Sequence, residues 1–270
     1  MRFVVKIGGS ILGIGGTPER ALIEDLKALA AKASLTIVHG GGDEVTEMAK
    51  RLGKETVFIT SPEGFRSRYT DKETLAIYTM VIAGRINKEI TSTLQAFEVK
   101  ALGLSGVDGG LLAAERKKRL IVIDERGRKR AMEGGYTGRI VSVNTELLEL
   151  LFKGGYVPIV APLALGEGGE ILNVDGDRAA AAIAGALKAD KLILLTDVEG
   201  LLLNGKVVPR LRSSEAREIL PSIGPGMITK VHAALEALEA GVKEAVICSG
   251  MGENPVLEAI DGKRGTAIVP

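Results

Sequence analysis

The chain reads as an α/β protein with a mostly parallel sheet covered by helices on both faces, a three-layer α/β/α sandwich. Three observations predict this. Apolar runs of strand length alternate with helical patterns almost from end to end. The runs lack polar alternation, as expected of strands covered on both sides. Two of them stop abruptly at glycines, Lys6-Ile7-Gly8-Gly9 and Val38-His39-Gly40-Gly41-Gly42. In such sheets ligands sit beyond the carboxyl ends of the strands, where both glycine clusters fall.

The elements follow in order. Strands are expected at 3–7 and 35–38, β-branched runs that end at the glycines, with helices at 18–33 and 44–52. The long helical pattern 72–97 begins at a capping signal, with Thr70 or Asp71 as N-cap and Glu73 in the first turn. A strand at 100–104 precedes the one stretch that breaks the rhythm. Between 111 and 143, apolar runs flank Asp124-Glu125-Arg126-Gly127-Arg128, which reads as one or two inserted hairpins. The alternation resumes with helix 145–153, strand 157–160, an alanine-rich helix at 178–187 and strand 192–195. Helices 214–220 and 227–240 and strands 245–248 and 267–269 complete the chain; Val231, Leu235 and Leu238 form an apolar face. No Pro- or Ser-rich linker interrupts it, so residues 1–270 are expected to form one domain.

Composition excludes several classes. Thirty-five Lys and Arg nearly balance 34 Asp and Glu, which argues against a wholesale nucleic-acid binder. No apolar stretch approaches the ~20 residues needed to span a bilayer, and the amino terminus enters a strand at once, without room for a signal peptide. The single cysteine, Cys248, excludes an internal disulfide and fits a reducing cytoplasm. It ends an apolar run and reads as a buried thiol.

Charge is nevertheless uneven. From Glu115 to Arg139 there are nine Lys and Arg against four acids. Such a patch either steers an acidic partner or is a solvated face.

Lys6 lies beside Gly8-Gly9 at a strand end, where backbone amides and a fixed cation can hold a transferable phosphate. Lys230 follows Gly224-Pro225-Gly226-Met227 and sits in the first turn of a helix, against the helix dipole. A bound anion there would account for it; the alternative is a solvated surface lysine. Arg66 and Arg68 lie in the loop before the long helix. In Asn173-Val174-Asp175-Gly176-Asp177 three polar side chains alternate, and Asp177 either joins a pocket or caps the next helix. Thr196-Asp197-Val198-Glu199-Gly200 ends another strand in a form suited to a nucleotide's sugar or base. Neither His39 nor His232 has a paired acid or thiol nearby in sequence, and both read as structural. There is no Walker loop, protein-kinase motif set or dinucleotide fingerprint.

These residues together resemble the amino-acid kinase family nearly end to end: Lys6-Ile7-Gly8-Gly9, His39-Gly40-Gly41-Gly42, Arg68-Tyr69-Thr70-Asp71, Asn173 to Asp177, Thr196 to Leu201, and Gly226-Met227 to Lys230. Within it the set is similar to acetylglutamate kinases, in which an Arg-x-Thr-Asp segment and an Asn four residues before an Asp bind the acyl-amino acid. Ser67-Arg68-Tyr69-Thr70-Asp71, Gly103 to Gly109 and Gly135-Tyr136-Thr137-Gly138 resemble one branch, the archaeal and thermophilic kinases of lysine and arginine biosynthesis. That branch acts on α-aminoadipate or glutamate attached to the carboxyl-terminal glutamate of a small acidic carrier protein.

The resemblance implies the amino-acid kinase fold and the reaction of ATP with a side-chain carboxylate, giving an acyl phosphate and ADP. Mg²⁺ would accompany ATP with few protein ligands. A carboxylate of pKa about 4 is already ionised at neutral pH, so no general base is required. Lys6 and Lys230 would meet the phosphoryl oxygens and Asp177 would orient them. Gly8, Gly9, Gly41 and Gly42 would hold phosphate and carboxylate, Arg68 and Asn173 the substrate, and Thr196 and Asp197 the nucleotide. Residues to about 170 would form a substrate-binding and dimerising lobe, and 171–270 an ATP-binding lobe. Two rivals stand beside this reading. A free N-acetylglutamate kinase would share every core motif, whereas a non-catalytic nucleotide sensor would be expected to lose one of the two lysines.

Overall fold

The computed structural model describes residues 1–13, 16–203 and 205–270. In chain order its strands are β1 (Arg2–Ile7), β2 (Ser34–His39), β3 (Phe58–Thr60), β4 (Arg66–Arg68), β5 (Ala101–Gly106), β6 (Leu112–Arg116), β7 (Arg119–Ile123), β8 (Lys129–Glu133) and β9 (Gly138–Val143). They continue as β10 (Val157–Leu165), β11 (Ile171–Asn173), β12 (Lys191–Thr196), β13 (Leu202–Leu203), β14 (Lys206–Val207), β15 (Arg210–Arg212), β16 (Glu244–Ser249) and β17 (Thr266–Val269). The α-helices are α1 (Arg20–Ala30), α2 (Gly42–Arg51), α3 (Lys72–Thr79), α4 (Asn87–Ala96), α5 (Thr145–Lys153), α6 (Gly176–Ala186), α7 (Ser213–Ile219), α8 (Met227–Glu239) and α9 (Pro255–Ile260).

An 11-stranded sheet runs β15-β17-β16-β12-β1-β2-β10-β6-β9, with β5 and β11 also paired to β10. From β16 to β10 every neighbour is parallel. Strands β17, β9 and β11 run against their partners β16, β6 and β10. Side chains alternate across each strand. Phe3, Val5 and Ile7 enter one apolar core with Leu22 and Leu26 of α1, Val45 of α2 and Ile90 of α4. Val4 enters the other, with Leu148 of α5, Ile183 of α6 and Val231 of α8. Helices on both faces make this the three-layer sandwich expected from the sequence. Each fully buried Leu or Ile contributes roughly 1.5–3 kcal/mol, so the two packed faces hold the strand ends firmly in place.

The boundaries differ where side chains impose their own terms. Pro18 pairs antiparallel with Leu12, so α1 opens only at Arg20. The pattern 72–97 is not one α-helix, because Met80–Ile86 widens into a π-helix between α3 and α4. The break in the alternation is a two-part antiparallel arm, β6 with β9 and then β7 with β8. Asp124 makes its turn by accepting from the amides of Arg126 and Arg128, each at 2.9 Å. Cys248 is enclosed, and burial pushes its thiol up to about 12. Among the described residues no helix is long and apolar enough to cross a membrane.

Candidate active site

Small residues bring the charges together. Helix α6 is rich in alanine and glycine, and α8 packs so closely that a Cβ on Gly185 would fall 2.5 Å from the Ala240 Cβ. The first turns of the two helices meet beside the end of β1. Lys6 shares the α6 side of the sheet with Val4, and its Nζ lies 2.8 Å from Asp177 Oδ1. Lys230 Nζ donates to Asp177 Oδ2 at 3.0 Å. All three side chains are nearly enclosed, with 8%, 6% and 13% exposure for Lys6, Asp177 and Lys230. Burial would raise the Asp177 carboxyl, but the two ammonium charges outweigh it and hold the group below the usual carboxylate range. Two cations on one carboxylate leave a positive charge to be met by an anion.

Asp175, not Asp177, caps α6, its Oδ1 accepting from the Arg178 amide at 2.9 Å. The capping alternative for Asp177 is thereby replaced, and its carboxylate is left for the lysines. Asp175 opens onto the cleft; the surrounding protein and then the Asp177 charge raise its carboxyl above the usual range.

Arg68, at the end of β4, is buried to 8% exposure. Its Nη2 donates to the Gly42 carbonyl at 2.8 Å and to Thr46 Oγ1 at 2.9 Å, while Nη1 is buried without a hydrogen-bond partner. Arg66 is exposed and stacks over Phe58, 4.5 Å from the ring centroid. Asn173 Nδ2 donates to Thr70 Oγ1 at 2.9 Å. Between these two runs the neck of the arm: the Tyr136 amide donates to the Thr70 carbonyl at 2.7 Å, and the Asn173 amide to the Tyr136 carbonyl at 2.9 Å.

The two glycine loops touch backbone to backbone, since a Cβ on Gly9 would fall 2.9 Å from the Gly41 nitrogen. Gly41 has φ +137°, and a Cβ there would strike Ile86 Cδ1 at 2.1 Å. Gly42 opens α2, whose first-turn amides have no intrahelical acceptor and favour an anion. The Gly8 amide is different. It donates to the Leu195 carbonyl at 3.1 Å and extends the β1–β12 ladder, so it is not free to hold phosphate as the sequence reading expected.

A cleft of about 1180 Å³ gathers six of the expected residues, Lys6, Gly41, Gly42, Arg68, Asn173 and Asp177. Lys230 reaches it through Asp177. Gly8, Gly9, Thr196 and Asp197 are not among its walls; they stand together at the adjoining ends of β1 and β12, where Thr196 Oγ1 donates to Asp197 Oδ1 at 3.0 Å.

Sequence reasoning missed Tyr78, Lys117 and the His232–Glu236 pair, all in the cleft wall. Tyr78 lies one helical turn beyond Thr74 and two beyond Asp71, a spacing that would have placed it on the same face. Burial, and then the Asp175 charge, raise its phenol above the ordinary range. Lys117 projects from the neck of the arm, and burial lowers its ammonium. His232 has an acid one turn away after all, with Nδ1 3.5 Å from Glu236 Oε1, and it meets Phe65 edge-on at 5.3 Å between centroids. Among the described residues no group of three or more His, Cys, Asp or Glu is placed to hold a metal ion.

The sequence profile of the amino acid kinase family matches residues 1–249. The [LysW]-aminoadipate/[LysW]-glutamate kinase of Saccharolobus solfataricus is 49% identical over 266 residues, 98% of either chain. A protein of Cenarchaeum symbiosum, given the same name provisionally, is 56% identical over 264 residues, again 98% of each. Among solved structures, smu.665 from Streptococcus mutans superposes with a TM-score of 0.80 at 26% identity, covering 99% of this chain and 98% of that one. With a family match over most of its length and relatives alike from end to end, the chain belongs to the amino acid kinase family.

Proposed function

We propose that this protein transfers the γ-phosphoryl group of ATP to the side-chain carboxylate of L-2-aminoadipate or L-glutamate carried on a small acidic protein, in lysine and arginine biosynthesis. The observation that carries the reading is the Lys6–Asp177–Lys230 cluster, a net positive charge at the floor of a cleft whose wall holds an arginine with an unpartnered N–H. The near-identity in length with relatives named for that activity supports the choice of acceptor.

A carboxylate oxygen attacks the γ-phosphorus, the bond from phosphorus to the bridging oxygen of ADP breaks, and ADP leaves with that electron pair. The acceptor is already an anion, so the chain has only to position it and neutralise charge on the transferring group. Lys6 and Lys230 meet its oxygens, and Asp177 holds the two ammonium groups in place between turnovers. Arg68 Nη1 pairs with a carboxylate of the acceptor and Asn173 completes its cradle. The Gly9 amide, with Thr196 and Asp197 beyond it, faces the nucleotide. Mg²⁺ bound to the phosphates of ATP would lower their charge, and with no cluster of three or more His, Cys, Asp or Glu among the described residues to hold it, a metal carried in by the nucleotide suits the site.

The arm supplies the partner's surface. Arg116, Arg128 and Arg139 are tied to Glu170, Asp124 and Glu115, while Lys118 at the neck and Arg126, Lys129 and Arg130 toward the far turn are exposed. We assign substrate binding and dimerisation to residues up to about 170 and ATP binding to 171–270. A homodimer formed through the first lobe belongs to the same proposal, as the resemblance to the family implies. The enclosed, lone thiol fits a cytoplasmic setting.

The test compares ADP release with carrier-linked aminoadipate, carrier-linked glutamate and free N-acetylglutamate. Turnover with either carrier-linked substrate well above the free one is expected. Equal turnover with all three would favour an ordinary acetylglutamate kinase.

A further inference from the structure

Behind the Gly40–Gly42 loop lies a buried polar cluster that the mechanism above does not use. The His39 ring is fully enclosed, and its Nδ1 lies 3.0 Å from the Gly40 carbonyl oxygen. A carbonyl only accepts, so Nδ1 carries the proton and Nε2 is left as a lone pair. That lone pair accepts from Asn87 Nδ2 at 3.1 Å. Asn87 is equally buried. Its Nδ2 also faces the carbonyls of Ile159 at 2.8 Å and Leu104 at 3.3 Å, and its Oδ1 accepts from Lys88 Nζ at 2.9 Å. Turning the amide over would set its oxygen against two carbonyls and a bare ring nitrogen, so the orientation is fixed. Burial first, then the charges of Lys6 and Lys88, holds the ring neutral with a pKa of about 4.

The same helix grips the loop a second time. Each residue added to a helix rotates the rest of it by about 100°, so the wide turns of Met80–Ile86 reset the faces of Ile86 and Asn87 relative to α3. Ile86 then fills the space that a Cβ on Gly41 would need, and Asn87 meets His39.

We propose that His39 is a positioning residue of the transfer site: held by Asn87 as its Nδ1–H tautomer, it draws the Gly40 carbonyl inward and so turns the Gly41 amide, across the same trans peptide plane, toward the cleft. Gly41 is a wall of that cleft, and a donor fixed in advance is worth most where charge develops. The proposal rests on the kinase reading above.

With two histidines in the chain, long-range proton–nitrogen NMR on the wild-type protein resolves both rings. The signal lost in His39→Asn is expected to show a neutral Nδ1–H ring that does not titrate between about pH 5 and 8. An Nε2–H ring, or one that titrates in that range, would overturn the proposal. Kinetics give the second arm. An asparagine amide stands where Nδ1 stood and can still donate to the Gly40 carbonyl, whereas a glutamine amide stands at Nε2 and can only answer Asn87. His39→Gln should therefore lose roughly tenfold or more in kcat with KM for ATP little changed, and His39→Asn should retain most of it. Equal kcat in the two variants would also overturn it. Should His39→Gln melt before assay, the wild-type tautomer still decides. If the wild-type protein turns over none of the three carboxylate substrates, it is the kinase reading that fails, and the tautomer result stands apart from it.

Discussion

Arg68 is fastened to Gly42: the guanidinium Nη2 donates to that carbonyl at 2.8 Å, 26 residues back along the chain. The bond uses one side of the fork and turns the other, Nη1, into a buried donor without an acceptor. Such an orphan costs about 1–3 kcal/mol unless a ligand answers it, and a carboxylate answers it best. Arg68→Ala should raise KM for the amino-acid substrate at least tenfold and leave KM for ATP nearly unchanged. Arg66→Ala, which removes an exposed stacking partner of Phe58, should do little to either. Steady-state kinetics on both variants check the pair, and a larger substrate defect in the Arg66 variant would reverse the assignment.

The lysine cluster predicts a separation of catalysis from stability. Lys6→Ala and Lys230→Ala each remove a cation aimed at the transferring group and should lower kcat by ~10²–10³. Asp177→Ala instead leaves two buried ammonium groups facing each other, a change that costs about 3–5 kcal/mol when one partner of a buried pair is removed. Chemical denaturation should show that loss in the aspartate variant and a smaller one in either lysine variant.

Asp71 predicts a pH dependence. It caps α3 through the Thr74 amide at 2.8 Å and accepts from Lys54 at 2.8 Å. Partial burial works against its charge, but those bonds win and lower the carboxyl from 3.8 to about 2. A carboxyl depressed in the folded state adds stability above its unfolded value and loses it as pH falls toward the folded one. The stability advantage of the wild-type protein over Asp71→Asn should thus be steady at neutral pH and vanish between about pH 4 and 2. Urea titrations at several pH values measure it, and an advantage that persists at pH 2 would contradict the assignment.

The arm predicts a salt effect confined to one substrate. Exposed charges act on encounter and are screened over about 10 Å at 0.1 M salt. Reversing Lys118, Arg126, Lys129 and Arg130 to glutamate should lower kcat/KM for the carrier-linked substrate and flatten its salt dependence. Saturating free N-acetylglutamate should show neither change. Lys117 and Arg128 are left intact because one lines the cleft and the other ties the turn to Asp124.

Cys248 predicts silence. Enclosed at the end of β16, with burial pushing its thiol up to about 12, it should react with a colorimetric thiol reagent only as fast as the protein unfolds. Fast labelling of the native chain would show that β16 opens locally.

Much of this site was legible as types of residue at strand ends. Lys6 and Gly41 could be named because a parallel sheet delivers its ligands to one edge, and apolar runs that stop at glycines mark that edge, whereas Asp177, alone also readable as a helix cap, took its role from the family resemblance. What stayed hidden were partners chosen by packing. The Gly8 amide looked free until β12 claimed it, since register between distant strands leaves no mark in a single sequence. The π-helical turns looked like an ordinary helix because apolar periodicity tolerates one extra residue in a long run. Tyr78 drew no reading and His232 read as structural, and the cleft they line exists only once α8 and the β3–β4 hairpin face each other.

The neck of the arm has a consequence for how such enzymes diversify. Because the Tyr136 peptide is bonded to Thr70 on one side and Asn173 on the other, residues 134–138 belong, on the proposed reading, to the acceptor's cradle, although the segment is continuous with the hairpin proposed to dock the carrier. No clean border then separates what would recognise a carrier from what would recognise an amino acid, because Arg119, Leu120, Ile121 and Val122 of β7 also line the cleft. On that reading, exchanging the whole of 119–133 would alter the cleft wall together with the docking surface, whereas changes confined to the turn 123–129 would touch the docking surface alone. A graft that strays beyond that turn would change the passenger as well as the vehicle.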